Sequence, residues 1–100
     1  MRATADSARV VLYGTAYCPF CVRARRLLDN KGVAYADLRL EHQPELRREM
    51  ERRSGRHTVP QIFIGDQHIG GSDELHSLER AGRLDALLRE SKTDTERSPT

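Results

Sequence analysis

A short strand-like segment near the start of the chain leads within a few residues into a helix-like segment, and this junction limits the possible folds most. Residues 9–14 (Arg-Val-Val-Leu-Tyr-Gly) are apolar and β-branched, which is typical of a strand buried on both faces. Pro19 suits the first turn of a helix, where its missing N–H costs nothing, and Gly32 suits the end of that helix. Residues 33–38 return to a strand-like pattern. A strand, a helix and a strand of this size predict a parallel pair with a right-handed crossover.

The second half of the chain predicts a helix, a hairpin and a final helical region. A helix is expected over residues 44–55, and Gly65-Asp66 between two apolar runs predicts a two-residue hairpin turn. Ser72 or Asp73 suits the N-cap of a third helix, and the leucines within residues 84–88 predict a last turn packed on the core. The order βαβ, helix, ββα predicts an α/β fold with one four-stranded mixed sheet and helices on both faces.

Length and composition favour one small globular domain. The chain has 100 residues, of which 37% are hydrophobic and 32% charged. We expect a short extension at residues 1–8, a folded domain at 9–89 and a disordered polar tail at 90–100. No apolar run approaches the roughly 18 residues of a membrane span, and no secretory signal begins the chain. A cytoplasmic protein that does not bind membranes is expected, and the net charge of +2 is far from the basic stripe of nucleic-acid binding.

The two cysteines, Cys18 and Cys21, form a single Cys-x-x-Cys at the predicted start of the first helix. A disulfide between them would close a tiny loop and constrain little of the unfolded chain, so the pair has weak structural value. Unpaired N–H groups at a helix start stabilise a Cys18 thiolate. Cys21 lies within the first turn and is expected to be more buried and less acidic. The pattern predicts that Cys18 attacks a substrate disulfide and that Cys21 resolves the mixed disulfide.

Half of a zinc site is the alternative interpretation of the cysteine pair. Zinc would require two more ligands at suitable spacing, but there is no second Cys-x-x-Cys and the four histidines are scattered along the sequence. Because Pro19 and the strand–helix junction suit redox chemistry better, we predict no metal site.

Three sequence stretches, together with the predicted order of elements, make the chain resemble a glutaredoxin of the dithiol class. They are Tyr17-Cys-Pro-Phe-Cys, Thr58-Val59-Pro60 and Gly70-Gly71-Ser72-Asp73, and the resemblance runs from about Val10 to Leu88. It implies a thioredoxin-like fold, a monomer, no permanently bound cofactor, and glutathione as co-substrate. The implied reaction is the reduction of protein disulfides and of protein–glutathione mixed disulfides.

The resemblance also implies a groove for glutathione. A cis bond before Pro60 would leave the backbone of Val59 free to pair with an extended peptide-like substrate beside Cys18. Two glycines followed by a helix start would admit a carboxylate closely, with the acidic side chain of Asp73 taking the amino group. Ordinary helix capping is the alternative role of this last stretch. The implied glutathione contacts are Tyr17, Phe20, Arg56, Thr58, Val59, Pro60, Gly71, Ser72 and Asp73.

Two positions depart from the family pattern. Many relatives carry a lysine where this chain has Thr15, and a tyrosine where it has Phe20. The lysine usually assists the glycyl carboxylate of glutathione and the thiolate. Arginines are the candidates to replace it: Arg56 or one of Arg47, Arg48, Arg52 and Arg53.

Two other functions are compatible with such a sequence. One is a dimeric carrier that bridges a [2Fe–2S] cluster through Cys18 and glutathione, although relatives that do so commonly replace the proline or the second cysteine with small residues. The other is a thioredoxin-type electron carrier recharged by a flavoprotein reductase, which the missing lysine keeps open.

Overall fold

The computed structural model of the protein describes residues 10–89, so the predicted extension at residues 1–8 and the predicted tail at 90–100 lie outside the described residues. Within this range the elements follow the predicted order. They are β1 (Val10–Gly14), α1 (Pro19–Asn30), β2 (Ala36–Arg39), α2 (Pro44–Ser54), β3 (Gln61–Ile64), β4 (Gln67–Gly70), α3 (Ser72–Arg80) and a last helix, α4, over residues 84–89.

The four strands form one mixed sheet in the order β2-β1-β3-β4. Strand β1 pairs with β2 in parallel and with β3 antiparallel, and the β3–β4 hairpin is antiparallel. The predicted mixed sheet and its parallel βαβ unit are therefore confirmed. Because β1 lies in the middle of the sheet, the loop after it and the start of α1 lie near the middle of the row of strand ends on that side of the sheet.

Both faces of the sheet are covered, as predicted. Leu12 and Tyr13 are neighbours on β1 and point to opposite faces, and each belongs to a separate core. Helices α1, α3 and α4 pack on the first face through the buried residues Val10, Leu12, Ala24, Leu28, Ile62, Ile64, Leu75, Leu84 and Leu88. Helix α2 packs on the second, where the buried residues are Tyr13, Leu40, Met50 and Phe63.

Two local predictions were wrong. Strand β2 begins at Ala36 and not at Val33. Gly32 turns the chain with φ of 70°, and the residues after it run to the edge of the sheet before they pair. Val33 and Tyr35 are partly buried against the first core on the way. The N-cap of α3 is Gly71, neither Ser72 nor Asp73. Since glycine has no side chain, the capping contact comes from the other direction: the Glu74 carboxylate accepts a hydrogen bond from the Gly71 N–H at 2.7 Å.

Other local predictions are confirmed. Helix α1 begins at Pro19, and Gly65 of the β3–β4 turn has φ of 62°, as a hairpin glycine in a primed turn does. The peptide bond between Val59 and Pro60 is cis.

Among residues 10–89, no helix combines the length and the apolar character that a membrane crossing requires.

Candidate active site

Cys18 lies at the mouth of α1, where β1 and the loop after it bring the chain to the end of the sheet. It is the N-cap residue, with extended backbone (φ −78°, ψ 122°), and its carbonyl accepts the Val22 N–H at 3.0 Å. Its side chain is partly exposed. The Cys18 Sγ lies 3.9 Å from the carbonyl oxygen of Val59, so the sulfur faces both solvent and the segment before Pro60.

Cys21 lies one turn further into α1 and is completely buried, with 0% of its surface exposed. Its sulfur accepts a hydrogen bond from the backbone N–H of Thr15 at 3.4 Å. Both thiols are free. The predicted asymmetry in burial between the two cysteines is confirmed.

The two thiols have pKa values shifted in opposite directions. Burial alone would raise the pKa of Cys18, but the N–H groups of Cys21 and Phe20, the Cys21 thiol and the charge of Arg25 together lower it below its ordinary value. Burial raises the pKa of Cys21, and the Cys18 sulfur adds to the rise, which outweighs the Thr15 N–H and Arg25. The negative charge of the pair therefore resides preferentially on the accessible sulfur, where a nucleophile requires it.

A fully buried glutamine anchors the segment beside Cys18. The Gln61 amide donates to the carbonyl oxygen of Thr58 at 3.0 Å and to its hydroxyl at 3.2 Å. The Gln61 oxygen is 2.7 Å from His68 Nε2 on β4. Pro60 is buried, Val59 partly buried and Thr58 exposed, so the segment runs from the surface into the core, and Gln61 anchors its exposed end at Thr58. Sequence analysis missed Gln61, although a polar residue opening an apolar strand was a visible signal.

The two glycines before α3 lie directly against this segment. A Cβ atom on Gly71 would come within 3.3 Å of the Pro60 carbonyl oxygen, and Gly70 has φ of 116°, a backbone conformation that favours glycine. Ser72 is buried and Asp73 is exposed. The structure therefore brings the second and third sequence stretches together through Pro60 and Gly71, and the second stretch also approaches Cys18 through Val59.

Two aromatic side chains form the exposed rim of the site. Tyr17 is 91% exposed and Phe20 is 51% exposed, one on each side of Cys18 in the sequence. Their open aromatic surfaces on either side of Cys18 make them candidate contacts for a ligand or partner.

The candidate arginines are placed very differently. Arg56 is exposed and its Nη1 lies 3.4 Å from Glu74 Oε2, at the start of α3. Arg47 donates to the carbonyl oxygen of His57 at 3.3 Å. Arg53 instead lies over the Phe63 ring, 4.1 Å from its centroid. Arg56 and Arg47 thus approach the segment before Pro60, whereas Arg53 is engaged on the second core.

A group of charged side chains beneath the cysteines was not found by sequence analysis. Arg25 Nε donates to both carboxylate oxygens of Asp37 at 3.1 Å, and Arg39 donates to the same carboxylate at 3.1 Å. Glu41 accepts the Ala16 N–H at 2.5 Å. The one available signal was spacing, because Arg25 follows Cys21 by four residues and so shares its helix face. Among residues 10–89, no group of three or more His, Cys, Asp and Glu side chains is arranged to hold a metal ion.

The sheet order and the dithiol at the mouth of α1 define a protein of thioredoxin-like fold. The sequence model of the glutaredoxin family matches residues 10–69. The chain belongs to the glutaredoxin family, and its role is that of a thiol–disulfide oxidoreductase.

Individual relatives agree with this assignment. A glutaredoxin from Pseudomonas aeruginosa is 57% identical over 79 residues, which cover 79% of this chain and 94% of that protein. Glutaredoxin 3 from Escherichia coli is 50% identical over 82 residues, covering 82% of this chain and 99% of that protein.

Solved structures agree as well. The crystal structure of a buckwheat glutaredoxin–glutathione complex superposes with a TM-score of 0.79 at 31% identity, covering 87% of this chain and 82% of that chain. The solution structure of glutaredoxin from Brucella melitensis gives a TM-score of 0.71 at 46% identity, covering 86% of this chain and 94% of that chain.

Proposed function

We propose that this protein reduces protein disulfides and protein–glutathione mixed disulfides with glutathione as co-substrate. In this proposal Cys18 is the nucleophile and Cys21 the resolving thiol. The observation that carries it is the contrast between the two sulfurs: Cys18 is accessible and has a lowered pKa, while Cys21 is buried and has a raised pKa.

With a protein disulfide, the reaction takes two exchanges. The Cys18 thiolate attacks one sulfur, a new S–S bond forms, and the other sulfur leaves as a thiolate that takes up a proton. Cys21 then loses its proton and attacks the Cys18 sulfur, which releases the second substrate thiol and leaves a Cys18–Cys21 disulfide. Two glutathione molecules restore the dithiol and leave as glutathione disulfide, so electrons and protons balance.

With a glutathionylated protein, Cys18 alone is sufficient. Its thiolate attacks the glutathione sulfur, the protein thiolate leaves, and Cys18 carries glutathione. A second glutathione thiolate attacks this mixed disulfide and restores Cys18. Cys21 takes no part in that route.

The proposed glutathione groove lies between the Val59-Pro60 segment and the start of α3. The Val59 carbonyl oxygen, 3.9 Å from the Cys18 sulfur, supports pairing with an extended peptide, and the N–H groups of Ser72 and Asp73 at a helix N-terminus suit a carboxylate. Tyr17, Phe20, Thr58, Pro60 and Gly71 complete the proposed lining, and Arg56 is the proposed partner of a second carboxylate. A glutathione complex of the buckwheat relative supports this choice of ligand.

We propose residues 9–89 as the functional unit, acting as a monomer without a permanently bound cofactor and without nucleic-acid or membrane partners. The cytoplasm is the proposed compartment, supported by two cysteines that are both free in a redox pair and form no structural disulfide.

A glutathione-coupled assay on the wild type and the two single cysteine variants tests this function. Cys18→Ser should abolish the reduction of both substrate classes, because it removes the nucleophile. Cys21→Ser should abolish reduction of a protein disulfide yet retain the removal of glutathione from a glutathionylated protein. Loss of both activities in Cys21→Ser would contradict the division of roles, and turnover with a flavoprotein reductase but not with glutathione would contradict the choice of reductant.

A further inference from the structure

Arg25 is held in one position beneath the cysteine pair. Its side chain is only 11% exposed, although it lies on a helix whose neighbouring arginines, Arg23 and Arg26, are exposed. Its Nε donates to both oxygens of Asp37 on β2. Burial and this two-point contact fix the guanidinium far better than a surface arginine is fixed.

The free end of the guanidinium borders the same small space as the sulfur of Cys21. A Cβ atom built on Gly14 would come within 2.9 Å of Cys21 Sγ and 3.3 Å of Arg25 Nη2, so both atoms border the small space that Gly14 leaves open. Nη2 is buried and has no hydrogen-bond partner among the described residues. Because Asp37 holds the Nε side, Nη2 is left as a donor unpaired within residues 10–89, at the space that it shares with the sulfur.

The other charged and titratable groups around this site come from the segment of β2. Asp37 also accepts from Arg39, so the carboxylate is shared between two cations. Glu41 accepts the Ala16 N–H, and its Oε1 is buried without a partner among the described residues. Tyr35 has its pKa raised to about 12, first by burial and then by Asp29, and is neutral at physiological pH. Cys18, the N-cap residue of α1, is the other titratable group that acts on Cys21.

We propose that Arg25 is a positioning residue for the resolving step: its guanidinium stabilises the thiolate that Cys21 becomes when it attacks the mixed disulfide on Cys18. This inference rests on the resolving role proposed for Cys21. In the step, the Cys21 proton goes to solvent, the Cys18–Cys21 bond forms, and the bond from Cys18 to the substrate sulfur breaks. The electron pair leaves with the substrate thiolate, so the substrate is reduced and the cysteine pair is oxidised.

The resolving step needs such support because Cys21 is the disfavoured thiolate. Burial raises its pKa, and among the described residues the groups that lower it are the Thr15 N–H and Arg25. A buried anion without a nearby cation is costly. Arg25 supplies the cation without contacting the substrate.

The step can be followed without glutathione by using dithiobis(nitrobenzoate), an aromatic disulfide whose released thiolate absorbs light. In a stopped-flow experiment with protein in excess, attack by Cys18 releases one nitrothiobenzoate and resolution by Cys21 releases the second. The Cys21→Ser variant lacks the resolving thiol and therefore gives the reference time course in which Cys21 makes no second release.

Arg25→Gln should slow the second release at pH 7 by up to about threefold and shift its pH dependence upward. One unit in the pKa of Cys21 corresponds to a factor of about ten in thiolate, and the higher nucleophilicity of the more basic sulfur offsets roughly half of that on a logarithmic scale. The first release should change less, because several N–H groups also lower the pKa of Cys18. Arg25→Lys keeps the charge and should restore much of the second rate.

Two variants separate electrostatic support from mere structure. Arg26→Gln removes an exposed arginine from the same helix and should leave both releases unchanged. Asp37→Asn keeps an oxygen that can accept from Arg25 Nε, so the cation stays in place while the competing negative charge is lost, and the second release should be as fast as in the wild type or faster. Circular dichroism verifies that each variant is folded.

Two results would overturn the inference: an unchanged second release in folded Arg25→Gln, or equal slowing in Arg25→Gln and Asp37→Asn. If the wild type shows no second release, the resolving role of Cys21 fails and the inference fails with it. If the second release depends on Arg25 while glutathione supports no turnover, only the proposed function fails.

Discussion

Two sulfurs three positions apart on one helix have surroundings of different kinds. Around Cys18, the stabilising groups are mainly backbone N–H groups at a helix start, with solvent on one side. Around Cys21, they are a single N–H and a buried arginine beneath a closed surface. The backbone N–H groups are part of the helix itself, whereas the arginine is held in place by Asp37 on strand β2. The comparison shows that one half of a dithiol site follows from local geometry and the other half from tertiary structure.

Alkylation of single-cysteine variants should show the largest difference between the two surroundings. At pH 7, iodoacetamide should modify the thiol in Cys21→Ser faster than the thiol in Cys18→Ser by a factor on the order of 100, since each pKa unit changes the thiolate about tenfold and burial blocks access. The alkylation of Cys18 should reach half of its maximal rate at a pH below the ordinary cysteine value of about 8.5. The midpoint for Cys21 should lie above it. Midpoints in the reverse order would break the comparison.

Gly14→Ala should disturb the surroundings of Cys21 but not those of Cys18. Its new methyl group would lie 2.9 Å from Cys21 Sγ and 3.0 Å from a Leu12 methyl carbon, and overpacking of this kind lowers the free energy of unfolding by about 1–3 kcal/mol. Urea denaturation measures the loss. The pH midpoint for alkylation of Cys18 should stay unchanged, because its helix N–H groups are untouched. Gly82→Ala is the control of similar stability cost, about 1–2 kcal/mol of backbone strain; its methyl group would enter open space, so the pH midpoint of Cys21 should stay unchanged in that variant. A normal Cys21 midpoint in Gly14→Ala would show that the sulfur has room to move.

Arg56→Ala should have the smallest effect of the three changes. It extends the comparison from the two sulfurs to an exposed arginine beside the start of α3. Because Arg56 pairs with Glu74 beside the start of α3, its removal should raise the KM for glutathione about threefold to tenfold, the range of one partly exposed charged hydrogen bond. Arg52→Ala is the matched control, an exposed arginine of α2. Steady-state kinetics with varied glutathione measures both. Equal effects in the two variants would remove Arg56 from the site.

The features that sequence analysis predicted correctly are those that local chemistry determines. The start of α1 at Pro19, the turn at Gly65 and the different burial of Cys18 and Cys21 each follow from a few neighbouring residues. The resemblance to glutaredoxins supplied what local chemistry does not, including the cis bond before Pro60.

The features that were missed depend on residues distant in the sequence. The contact between Arg25 and Asp37 joins a helix to the strand after it, and the spacing of Arg25 alone does not reveal a partner. The position of Gln61 under Thr58 depends on the hairpin that brings His68 to it. The cap of α3 is the local exception: Glu74 lies three residues from Gly71, and a glycine at the N-cap leaves the glutamate as the available side chain.

The buried amide of Gln61 also decides where His68 carries its proton. Its NH₂ group is used by Thr58, so only its oxygen faces the ring, and this oxygen can only accept a hydrogen bond. Burial lowers the pKa of His68, so the ring is neutral near pH 7 and its single hydrogen sits on Nε2. Edge strand β4 and the segment beside Cys18 are thereby joined by a directional chain of donors, which runs from imidazole to amide to threonine.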